Sequence, residues 1–486
     1  MSKPNLPNVK TQLFIDGKWI DGDKKDTKAV INPANGETLT EVAQAGEAET
    51  TRAIEAAKKA FGEWKELELA KRVAILNKIG DLLEERAEEL APIMTLEQGK
   101  PLKESKGEFL TGAANFHWAA EEARRLYGET IPAPNNHAYI VKKEPIGVVG
   151  AITPWNFPAG MVTRKIAPAL ATGNTVVLKP SGDTPLSALA IFELFEEAGL
   201  PNGVANLVMG SSKEIGKTLT DSDDVRKLTF TGSTAVGQTL FEQSGQTLKK
   251  LSLELGGHAP FIVFADANID DAVAGLIASK FRNNGQVCIA PNRIFVEASI
   301  LSTFQEKLVE KVKNLKVGNG WDEVDVGPLI REDAIDKIED QLKDAKAKGA
   351  EVLVGGKKAT GDGLENGNFY LPTILGNVTR DMNIFYEETF GPVVPLITFE
   401  TTEEAIKLAN DSEFGLASYF YTKDLSRVEQ VSSGLEYGMV GANEVAISNP
   451  ETPFGGVKHS GFGRENGHFG MEEYLQVKFV NLKYRD

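Results

Sequence analysis

Short apolar runs that alternate with helical segments dominate the chain from Gly147 onward, and they constrain its fold most strongly. The runs GVVGAIT, NTVVLK, VANLVM, VRKLTF and KKLSLEL are rich in β-branched residues. Strands that are apolar along their whole length are buried on both faces, as in a parallel sheet covered by helices. The pattern therefore predicts an α/β domain.

A second series of the same kind begins at PFIVF and continues through RIFVE, AEVLVGG, VVPLITF, LASYFY and MVGANE. It has its own helical patterns, including ANIDDAVAGLIASKF and TTEEAIKLAN. A chain of 486 residues is long enough for several domains. We therefore expect two α/β domains that meet near Gly256 and Gly257.

Two further segments alternate apolar and polar residues, as half-buried strands do. They are IPAPNNHAYIVKKE, which precedes the first α/β series, and YLQVKFVNLKY, which follows the second. Because exposed strand edges invite pairing with another subunit, we expect these segments to form an oligomerisation arm.

Charge and composition exclude several classes of protein. The net charge of −16 disfavours nucleic acid as a partner. The five histidines lack the spacing of a metal-binding motif, and with one cysteine they offer too few ligands for structural zinc, so we expect no metal. The chain shows no apolar run that could span a bilayer and its start does not resemble a signal peptide, so we expect a cytoplasmic protein without a membrane partner.

Two glycine-containing stretches are candidates for phosphate binding. GSSKEIGKT resembles a P-loop but has one residue too many between its glycines, which argues against an NTPase. FTGSTAVG follows the run VRKLTF and opens a helical segment, so Gly232 and Ser233 could bind an anion at a helix N-terminus. The alternative is a tight strand-to-helix turn without a ligand.

Glu254 and Cys288 are the candidate reactive residues. Glu254 ends the run KKLSLEL, where it is either a functional carboxylate or an exposed strand-end residue. Cys288, the single cysteine, lies in the polar loop NNGQVC, whereas a cysteine that only fills a core gap usually lies in an apolar run. The neighbouring amides, such as Gln286, could donate to an oxyanion, so the loop favours a nucleophile.

The ordered motifs TPWNFP, LKPS, FTGST, LELGG, NNGQVC, EETFGP and PFGG resemble those of the aldehyde dehydrogenase superfamily from about Leu13 to the C-terminus. The resemblance implies that family's α/β fold, with a Rossmann-like cofactor domain, an α/β catalytic domain and a small β oligomerisation arm. The implied boundaries are residues 1–124 and 144–255 for the cofactor domain, 256–466 for the catalytic domain, and 125–143 and 467–486 for the arm.

The resemblance also implies catalytic roles. Cys288 would attack an aldehyde, and the Asn156 side chain with the Cys288 backbone N–H would hold the oxyanion. Glu254 would activate the water that hydrolyses the thioester. The residues implied to bind the cofactor are Trp155, Lys179, Ser181, Gly182, Gly232, Ser233, Leu255, Glu388 and Phe390. Ala290 stands where many relatives have a second cysteine, so a disulfide switch within this loop is excluded.

The position of Gly182 bears on the choice between NAD and NADP. NAD-preferring relatives often carry a glutamate there, which binds the ribose hydroxyls and repels a 2′-phosphate. Without that carboxylate, Lys179 and Ser181 can act as partners of an anion, so we expect NADP or NAD as cofactor, with NADP favoured.

Several further stretches, including ASKFRNNGQVC and LEYGMVGANE, are most similar to succinate-semialdehyde dehydrogenases. This resemblance implies that Arg164, Arg282 and Ser448 bind the carboxylate of the substrate. The alternative for the arginines is a role in surface ion pairs. Glutarate semialdehyde or a broad range of aldehydes is the alternative substrate, since one methylene is discriminated weakly. A catalytically silent binding protein is a different class, which retention of Glu254 and Cys288 disfavours. We expect a homodimer or homotetramer.

Overall fold

The computed structural model describes residues 7–361 and 363–485. The first six residues, Asp362 and Asp486 belong to the predicted segments 1–124, 256–466 and 467–486, and they lie outside the described residues. Within the described part of the chain, no helix combines the length and the apolar character that crossing a membrane requires.

The strands are β1 (Leu13–Ile15), β2 (Lys18–Ile20), β3 (Thr27–Ile31), β4 (Thr38–Ala43), β5 (Glu129–Ile131), β6 (His137–Pro145), β7 (Val148–Ile152), β8 (Thr175–Lys179), β9 (Ala205–Leu207), β10 (Val225–Thr231), β11 (Lys250–Glu254), β12 (Ala259–Val263), β13 (Pro291–Glu297), β14 (Glu351–Val354), β15 (Thr373–Gly376), β16 (Val393–Phe399), β17 (Phe414–Gly415), β18 (Ala417–Tyr421), β19 (Met439–Ala442), β20 (Val457–Lys458), β21 (Gly461–Phe462) and β22 (Leu475–Lys483).

The α-helices are α1 (Glu47–Glu66), α2 (Leu69–Glu85), α3 (Ala87–Gln98), α4 (Leu102–Glu122), α5 (Gly160–Ala171), α6 (Leu186–Glu197), α7 (Ser212–Asp221), α8 (Thr234–Ser244), α9 (Ile269–Lys280), α10 (Leu301–Lys313), α11 (Glu332–Ala347), α12 (Thr402–Asn410), α13 (Leu425–Gly434) and α14 (Gly467–Glu472). Short 3-10 helices lie at Ala123–Arg125, Arg282–Gly285, Ala298–Ile300 and Asn383–Phe385.

The first apolar series forms one sheet, and the predicted α/β architecture is confirmed. Among the described residues its strand order is β2-β1-β9-β8-β7-β10-β11-β21. Strands β9, β8, β7, β10 and β11 are parallel, whereas β1 and β21 join the edges in the antiparallel sense. Strands β7 and β8 are buried along their whole length, which is why their sequences are continuously apolar.

The second series forms a sheet with the order β14-β15-β16-β13-β12-β18-β19. Only β14 is antiparallel to its neighbour among the strands described in this sheet. Alternate residues of β12 belong to different cores: Phe261 and Val263 pack in one cluster, and Ile262 packs in the other. Helices therefore cover both faces of this sheet, as its apolar runs predict.

The two alternating segments pair with each other. Strand β22 is antiparallel to β6 along its full length, from Leu475 opposite Pro145 to Lys483 opposite His137, and β5 pairs with the other edge of β6. Strand β22 remains an edge strand and exposes large apolar side chains, with Val477 72% and Phe479 55% accessible. Such a strand is a candidate surface for association.

The C-terminal part of the chain returns to the first sheet. Strand β21 lies within the segment predicted for the catalytic domain, yet it pairs with β11, so that Gly461 lies opposite Glu254. The predicted domain boundaries thus do not coincide with the edges of this sheet, although they remain a prediction for the independent folding units.

The carboxyl ends of the parallel strands carry several of the predicted site residues. Trp155 and Asn156 follow β7, Lys179 ends β8, Gly232 follows β10 and Glu254 ends β11. Parallel strands gather their carboxyl ends at one edge, so residues that are distant in sequence converge there. The loops that precede β12, β13 and β16 in the second sheet contribute residues to the same region.

Candidate active site

Three adjoining cavities occupy the carboxyl edge of the first sheet. Their volumes are about 310, about 340 and about 640 Å³. Cys288 and Met161 line both of the smaller cavities, and Trp155 and Gly232 line both the 340 Å³ and the 640 Å³ cavities. The thiol therefore lies at the junction of the 310 and 340 Å³ cavities, and the 340 Å³ cavity adjoins the 640 Å³ cleft.

The loop before Cys288 has an unusual backbone. Asn283 and Asn284 have φ values of 48° and 55°, and Gly285 follows with 74°. This left-handed region disfavours side chains other than asparagine and glycine. A Cβ at Gly285 would also lie 2.3 Å from the Gly391 carbonyl oxygen, so the third position requires glycine.

Hydrogen bonds from several elements hold this loop. The Asn283 backbone N–H donates to Glu104 Oε2 at 2.9 Å, and Asn283 Nδ2 donates to the Asn156 carbonyl at 2.8 Å. Asn284 Nδ2 donates to the Gly327 carbonyl at 2.9 Å. The Asn283 and Asn284 amides thus donate to backbone carbonyls, as Gln286 Nε2 does to the Asn283 carbonyl at 3.1 Å, which gives these side chains a structural role in the loop.

The buried side chain of Lys100 connects the same loop to the first sheet. Lys100 Nζ donates to Glu108 Oε2 at 2.5 Å and to the Asn156 carbonyl at 2.8 Å. Glu108 Oε1 accepts the backbone N–H groups of Ala159 and Gly160, each at 2.9 Å. Glu108 therefore compensates the free N–H groups at the start of α5 while it neutralises a buried cation.

Cys288 is partly exposed, and the chain passes very close to it. A Cβ at Gly257 would lie 2.2 Å from the Cys288 carbonyl oxygen, so this approach requires glycine. Burial raises the pKa of the Cys288 thiol to about 12; the Arg164 guanidinium lowers it in part, and the Glu254 carboxylate raises it. The resting sulfur is therefore a neutral thiol.

Asn156 is positioned beside this thiol in the 340 Å³ cavity. Its Nδ2 donates one hydrogen bond, to the Gln286 carbonyl at 3.0 Å, which leaves the second amide proton available. No described residue accepts a hydrogen bond from the Cys288 backbone N–H. These two donors are the pair that the family resemblance implies for an oxyanion.

Glu254 is a buried carboxylate without a hydrogen-bond partner. It is 3% accessible, and neither side-chain oxygen has a partner among the described residues. Burial raises its pKa well above the usual range, and the nearby Glu465 carboxylate raises it further. The alternative of an exposed strand-end residue is therefore wrong for Glu254, and an unpartnered buried carboxyl is typical of functional sites.

Lys165 and Glu465 form a buried pair next to Glu254. Lys165 Nζ donates to Glu465 and, at 3.1 Å, to Thr229 Oγ1. Glu465 Oε2 has no hydrogen-bond partner among the described residues, and it lies 3.9 Å from Arg164 Nη1. The ammonium lowers the pKa of Glu254, which partly offsets the effect of burial and of Glu465.

The three residues predicted to bind a carboxylate line the 310 Å³ cavity together with Cys288. Arg164 is 7% accessible, its Nη2 donates to Ser448 Oγ at 3.0 Å, and its guanidinium stacks on the Phe454 ring at 4.4 Å. Its Nε and Nη1 have no hydrogen-bond partner among the described residues, and Nη1 lies 3.9 Å from Glu465 Oε2 in a loose, buried ion pair. Arg164 is thus buried with unused hydrogen-bond donors, and it does not belong to a surface ion pair.

Arg282 lies on the other side of this cavity and is exposed. Its guanidinium lies 5.3 Å from the Phe157 ring, and it forms no direct ion pair with a described residue, although the Glu104 carboxylate in the same cavity acts on it electrostatically. A guanidinium without a direct ion pair is available to an anionic ligand.

Glu388 and Phe390 line the 340 Å³ cavity with Leu255. Glu388 Oε1 accepts the Gly257 backbone N–H at 3.0 Å, and burial raises the pKa of Glu388 to about 7. Phe390 has a φ of 54°, and its ring lies edge-on to Trp155 at a centroid distance of 5.6 Å. The cavity next to the thiol therefore combines aromatic walls with two carboxylates, Glu388 and Asp333.

The 640 Å³ cleft is lined by Lys179, Ser181, Gly182, Gly232 and Ser233, as predicted for a cofactor site. Lys179 is 4% accessible and its Nζ makes one hydrogen bond, to the Pro180 carbonyl at 3.2 Å. Burial, and then the neighbouring Lys28, lower its pKa to about 8. A buried ammonium with spare donors fits a hydroxyl- and phosphate-bearing cofactor.

Thr153 and Thr231 support this fit. Both line the cleft, and the side-chain oxygens of both are buried without a partner among the described residues. Ser233 is the N-cap of α8, and its Oγ accepts the Val236 backbone N–H. Ser233 and Val236 both line the cleft, so the N-terminus of α8 lies at the cleft. The donor set therefore suits a dinucleotide.

Residue patterns alone did not identify every residue at this site. Lys100, Glu108, Lys165, Glu465 and Lys28 belong to it, but each lies in an ordinary helical, strand or loop pattern. Only burial distinguishes the first four, and burial of a charged residue cannot be read from a single sequence.

The expected alkylation kinetics of Cys288 follow from its pKa. Because a thiol with a pKa of about 12 is almost fully protonated near neutrality, its reaction rate with iodoacetamide should rise about tenfold per pH unit between about pH 7 and about pH 9. In the urea-unfolded chain, the reaction rate of the same cysteine should level off above about pH 8.5. Mass spectrometry can follow both reactions. A folded protein whose rate levels off near that pH would contradict the expectation.

Comparison with known proteins supplies independent findings. The model of the aldehyde dehydrogenase family matches residues 19–480. The chain is 52% identical over 471 residues to the glutarate-semialdehyde dehydrogenase of Pseudomonas putida, with 96% of this chain and 97% of the relative covered. It is 51% identical to the 3-sulfolactaldehyde dehydrogenase of Pseudomonas putida, with 99% and 98% covered.

A third relative is the NADP(+) succinate-semialdehyde dehydrogenase of Escherichia coli, which is 50% identical, with 96% of this chain and 97% of the relative covered. Among solved structures, the succinate-semialdehyde dehydrogenase from Burkholderia pseudomallei matches with a TM-score of 0.96 and 50% identity. That match covers 100% of both chains.

Proposed function

The chain belongs to the aldehyde dehydrogenase family, whose members oxidise aldehydes with NAD or NADP, and we propose that its substrate is succinate semialdehyde. The observation that carries the proposal is the buried, partly unpaired Arg164 guanidinium in the same cavity as Cys288. An aldehyde with a remote carboxylate satisfies that guanidinium while its carbonyl reaches the thiol.

The relatives support an anionic substrate. Succinate semialdehyde and glutarate semialdehyde each carry a carboxylate, and 3-sulfolactaldehyde carries a sulfonate. All three groups are oxygen anions that an arginine can bind through two donors. Glutarate semialdehyde is the second candidate, because the 52% identical relative is named for it and the cavity must distinguish it by a single methylene.

In the proposed reaction, the Cys288 thiol gives its proton to a water molecule, and the sulfur bonds to the aldehyde carbon as the C=O π electrons move to oxygen. The resulting oxyanion accepts hydrogen bonds from Asn156 Nδ2 and from the Cys288 backbone N–H. The nicotinamide cofactor, when bound in the 640 Å³ cleft, supplies the two-electron oxidation. Cys288 then carries the acyl group as a thioester, with the substrate carboxylate still held by Arg164, Arg282 and Ser448.

Glu254 completes the cycle as a general base. It takes a proton from water, whose oxygen adds to the thioester carbon, and the carbon–sulfur bond then breaks to release succinate and the thiol. Because the pKa of Glu254 is raised, the fraction of its reactive carboxylate form increases with pH. The Lys165 ammonium opposes this shift of the Glu254 pKa and so favours the carboxylate form.

NADP is the favoured cofactor in this proposal. Gly182 provides no carboxylate to repel a 2′-phosphate, and the Lys179 ammonium lies in the same cleft.

We further propose a cytoplasmic homo-oligomer in which the exposed edge strand β22 takes part in the interface.

Turnover of succinate semialdehyde, glutarate semialdehyde, 3-sulfolactaldehyde and neutral butanal with each cofactor tests the substrate and the cofactor together. A higher kcat/KM for butanal than for the anionic aldehydes would contradict the proposal that the substrate is an anionic aldehyde.

Replacement of the nucleophile separates chemistry from binding. Cys288→Ser should reduce aldehyde oxidation by about a thousandfold or more, because a hydroxyl is far less nucleophilic than a thiol at this position. NADP binding, measured by calorimetry, should persist because Cys288 does not line the 640 Å³ cleft. Substantial oxidation by this variant would exclude Cys288 as the nucleophile.

Replacement of Arg282 tests whether this residue binds the carboxylate of the substrate. Arg282→Ala should raise the KM for succinate semialdehyde by about tenfold or more, since a charge-assisted hydrogen bond is lost, while the KM for butanal changes by less than about twofold. Arg282→Lys retains the charge without the fork, so its effect should be intermediate. Equal changes for both aldehydes would contradict a carboxylate clamp.

The edge strand gives a test of assembly. Light scattering should detect an assembly larger than the 52.6 kDa protomer, and the double substitution Val477→Lys with Phe479→Lys should reduce its size because it places charges in an apolar interface. Lys478→Gln, on the opposite face of the same strand, is the matched control. A wild-type protein that remains a protomer at all concentrations would refute the proposed arm.

A further inference from the structure

Lys28 belongs to the N-terminal hairpin β3–β4, far in sequence from the residues that the family resemblance assigns to the cofactor. Nevertheless it lines the 640 Å³ cleft with Lys179, Ser181 and Gly182. Its ammonium would lie only 2.8 Å from a Cβ placed on Gly182. The lysine nitrogen thus occupies the space where a side chain at position 182 would begin.

The environment of Lys28 leaves its ammonium available. Its closest carboxylate is Asp183, at 3.5 Å, and the lysine side chain is about half exposed. Such a pair is weak. Asp183 has a shorter partner in Arg331, whose Nη1 lies 2.9 Å from Asp183 Oδ2, so the carboxylate is satisfied without Lys28.

The charges around Gly182 do not cancel. Lys28, Lys179 and Arg331 are three cations; Asp183 pairs with Lys28 and Arg331, and Asp333 pairs with Arg331 at 3.3 Å, so one more cation than carboxylates is present. Lys28 also acts on Lys179, because it is the nearby cation that helps to lower the pKa of that ammonium. An added anion in this corner would relieve the repulsion between the two lysines.

We propose that Lys28 is a specificity-determining residue, which binds the 2′-phosphate of NADP and thereby selects NADP over NAD. The inference rests on the proposed placement of the cofactor ribose next to Gly182. A phosphate offers charged oxygens to the ammonium, whereas the 2′-hydroxyl of NAD offers only a neutral partner. Asp183 keeps the lysine close to the site when no phosphate is present, and it competes with the phosphate for the same cation.

The test is equilibrium binding, measured by calorimetry with NADP and with NAD. Lys28→Gln should weaken NADP binding by about tenfold, as expected when one charge-assisted hydrogen bond is lost, so that the ratio of the two Kd values changes by a similar factor. Its NADP affinity should also depend less on salt than that of the wild type. Lys18→Gln, which removes an exposed lysine of β2 away from the cleft, is the matched control.

A second variant should act in the opposite direction. Asp183→Asn removes the competing carboxylate and should tighten NADP binding by about threefold relative to NAD. If Lys28→Gln leaves the ratio of the two Kd values unchanged, for example by weakening the binding of both cofactors equally, Lys28 does not determine specificity. The inference is then overturned. Detection of no NADP binding by the wild type would overturn it as well.

These outcomes are distinguishable from failure of the proposed function. A wild-type protein that binds NADP through Lys28 but does not oxidise any semialdehyde would refute the substrate and leave the inference intact. A protein that oxidises succinate semialdehyde with an unchanged Kd ratio in Lys28→Gln would refute the inference alone.

Discussion

The buried ammonium of Lys100 is the interaction on which the geometry around the thiol depends. It joins Glu108 of α4 to the carbonyl of Asn156. Glu108 in turn holds the first N–H groups of α5, the helix that carries Arg164. The same Asn156 carbonyl accepts a hydrogen bond from Asn283, which begins the left-handed turn before the nucleophile. The Lys100 ammonium therefore fixes Asn156, the helix that carries Arg164 and the loop before Cys288 relative to one another.

Burial of such a pair is costly, and burial lowers the pKa of Lys100. Removing one partner would leave the other charge buried and unpaired, which destabilises a protein far more than loss of a surface pair. The local fold thus tolerates very little change at Lys100 or Glu108. Restricted motion is what a site needs when its donors must meet an oxyanion at a defined position.

The fold was predictable wherever the information was local. Continuously apolar runs such as those of β7 and β8 must be buried on both faces, so the parallel sheets followed from the pattern. The positions of Glu254 and Gly232 at strand ends followed as well. Their meeting with Cys288 did not, because it requires the relative arrangement of two sheets; there the resemblance to known enzymes supplied the prediction.

Charged residues from distant segments were the least predictable part of the site. Lys28 and Gly182 are separated by more than a hundred residues, and Lys28 lies in a short strand with no unusual pattern. The return of β21 to the first sheet has the same origin, since a two-residue strand carries almost no periodic signal. Such contacts are set by tertiary packing, which single-sequence patterns do not record.

The distribution of charge within the cavities gives the site its selectivity despite a net charge of −16. Arg164 and Arg282 lie on the substrate side, and Lys28 and Lys179 lie at the opposite end of the cleft. Around the thiol, burial raises the pKa of Glu254 and of Glu388, which favours their neutral forms.

An anion is therefore stabilised at both ends, while the centre disfavours permanent negative charge. An aldehyde carbonyl is neutral when it enters that centre and becomes an oxyanion only during reaction. In the proposed reaction, the Asn156 amide and the Cys288 backbone N–H would then stabilise the new charge more than they stabilise the bound aldehyde. On the same proposal, anionic groups remote from the reacting carbon contribute the binding energy, and the groups around the thiol lower the activation barrier.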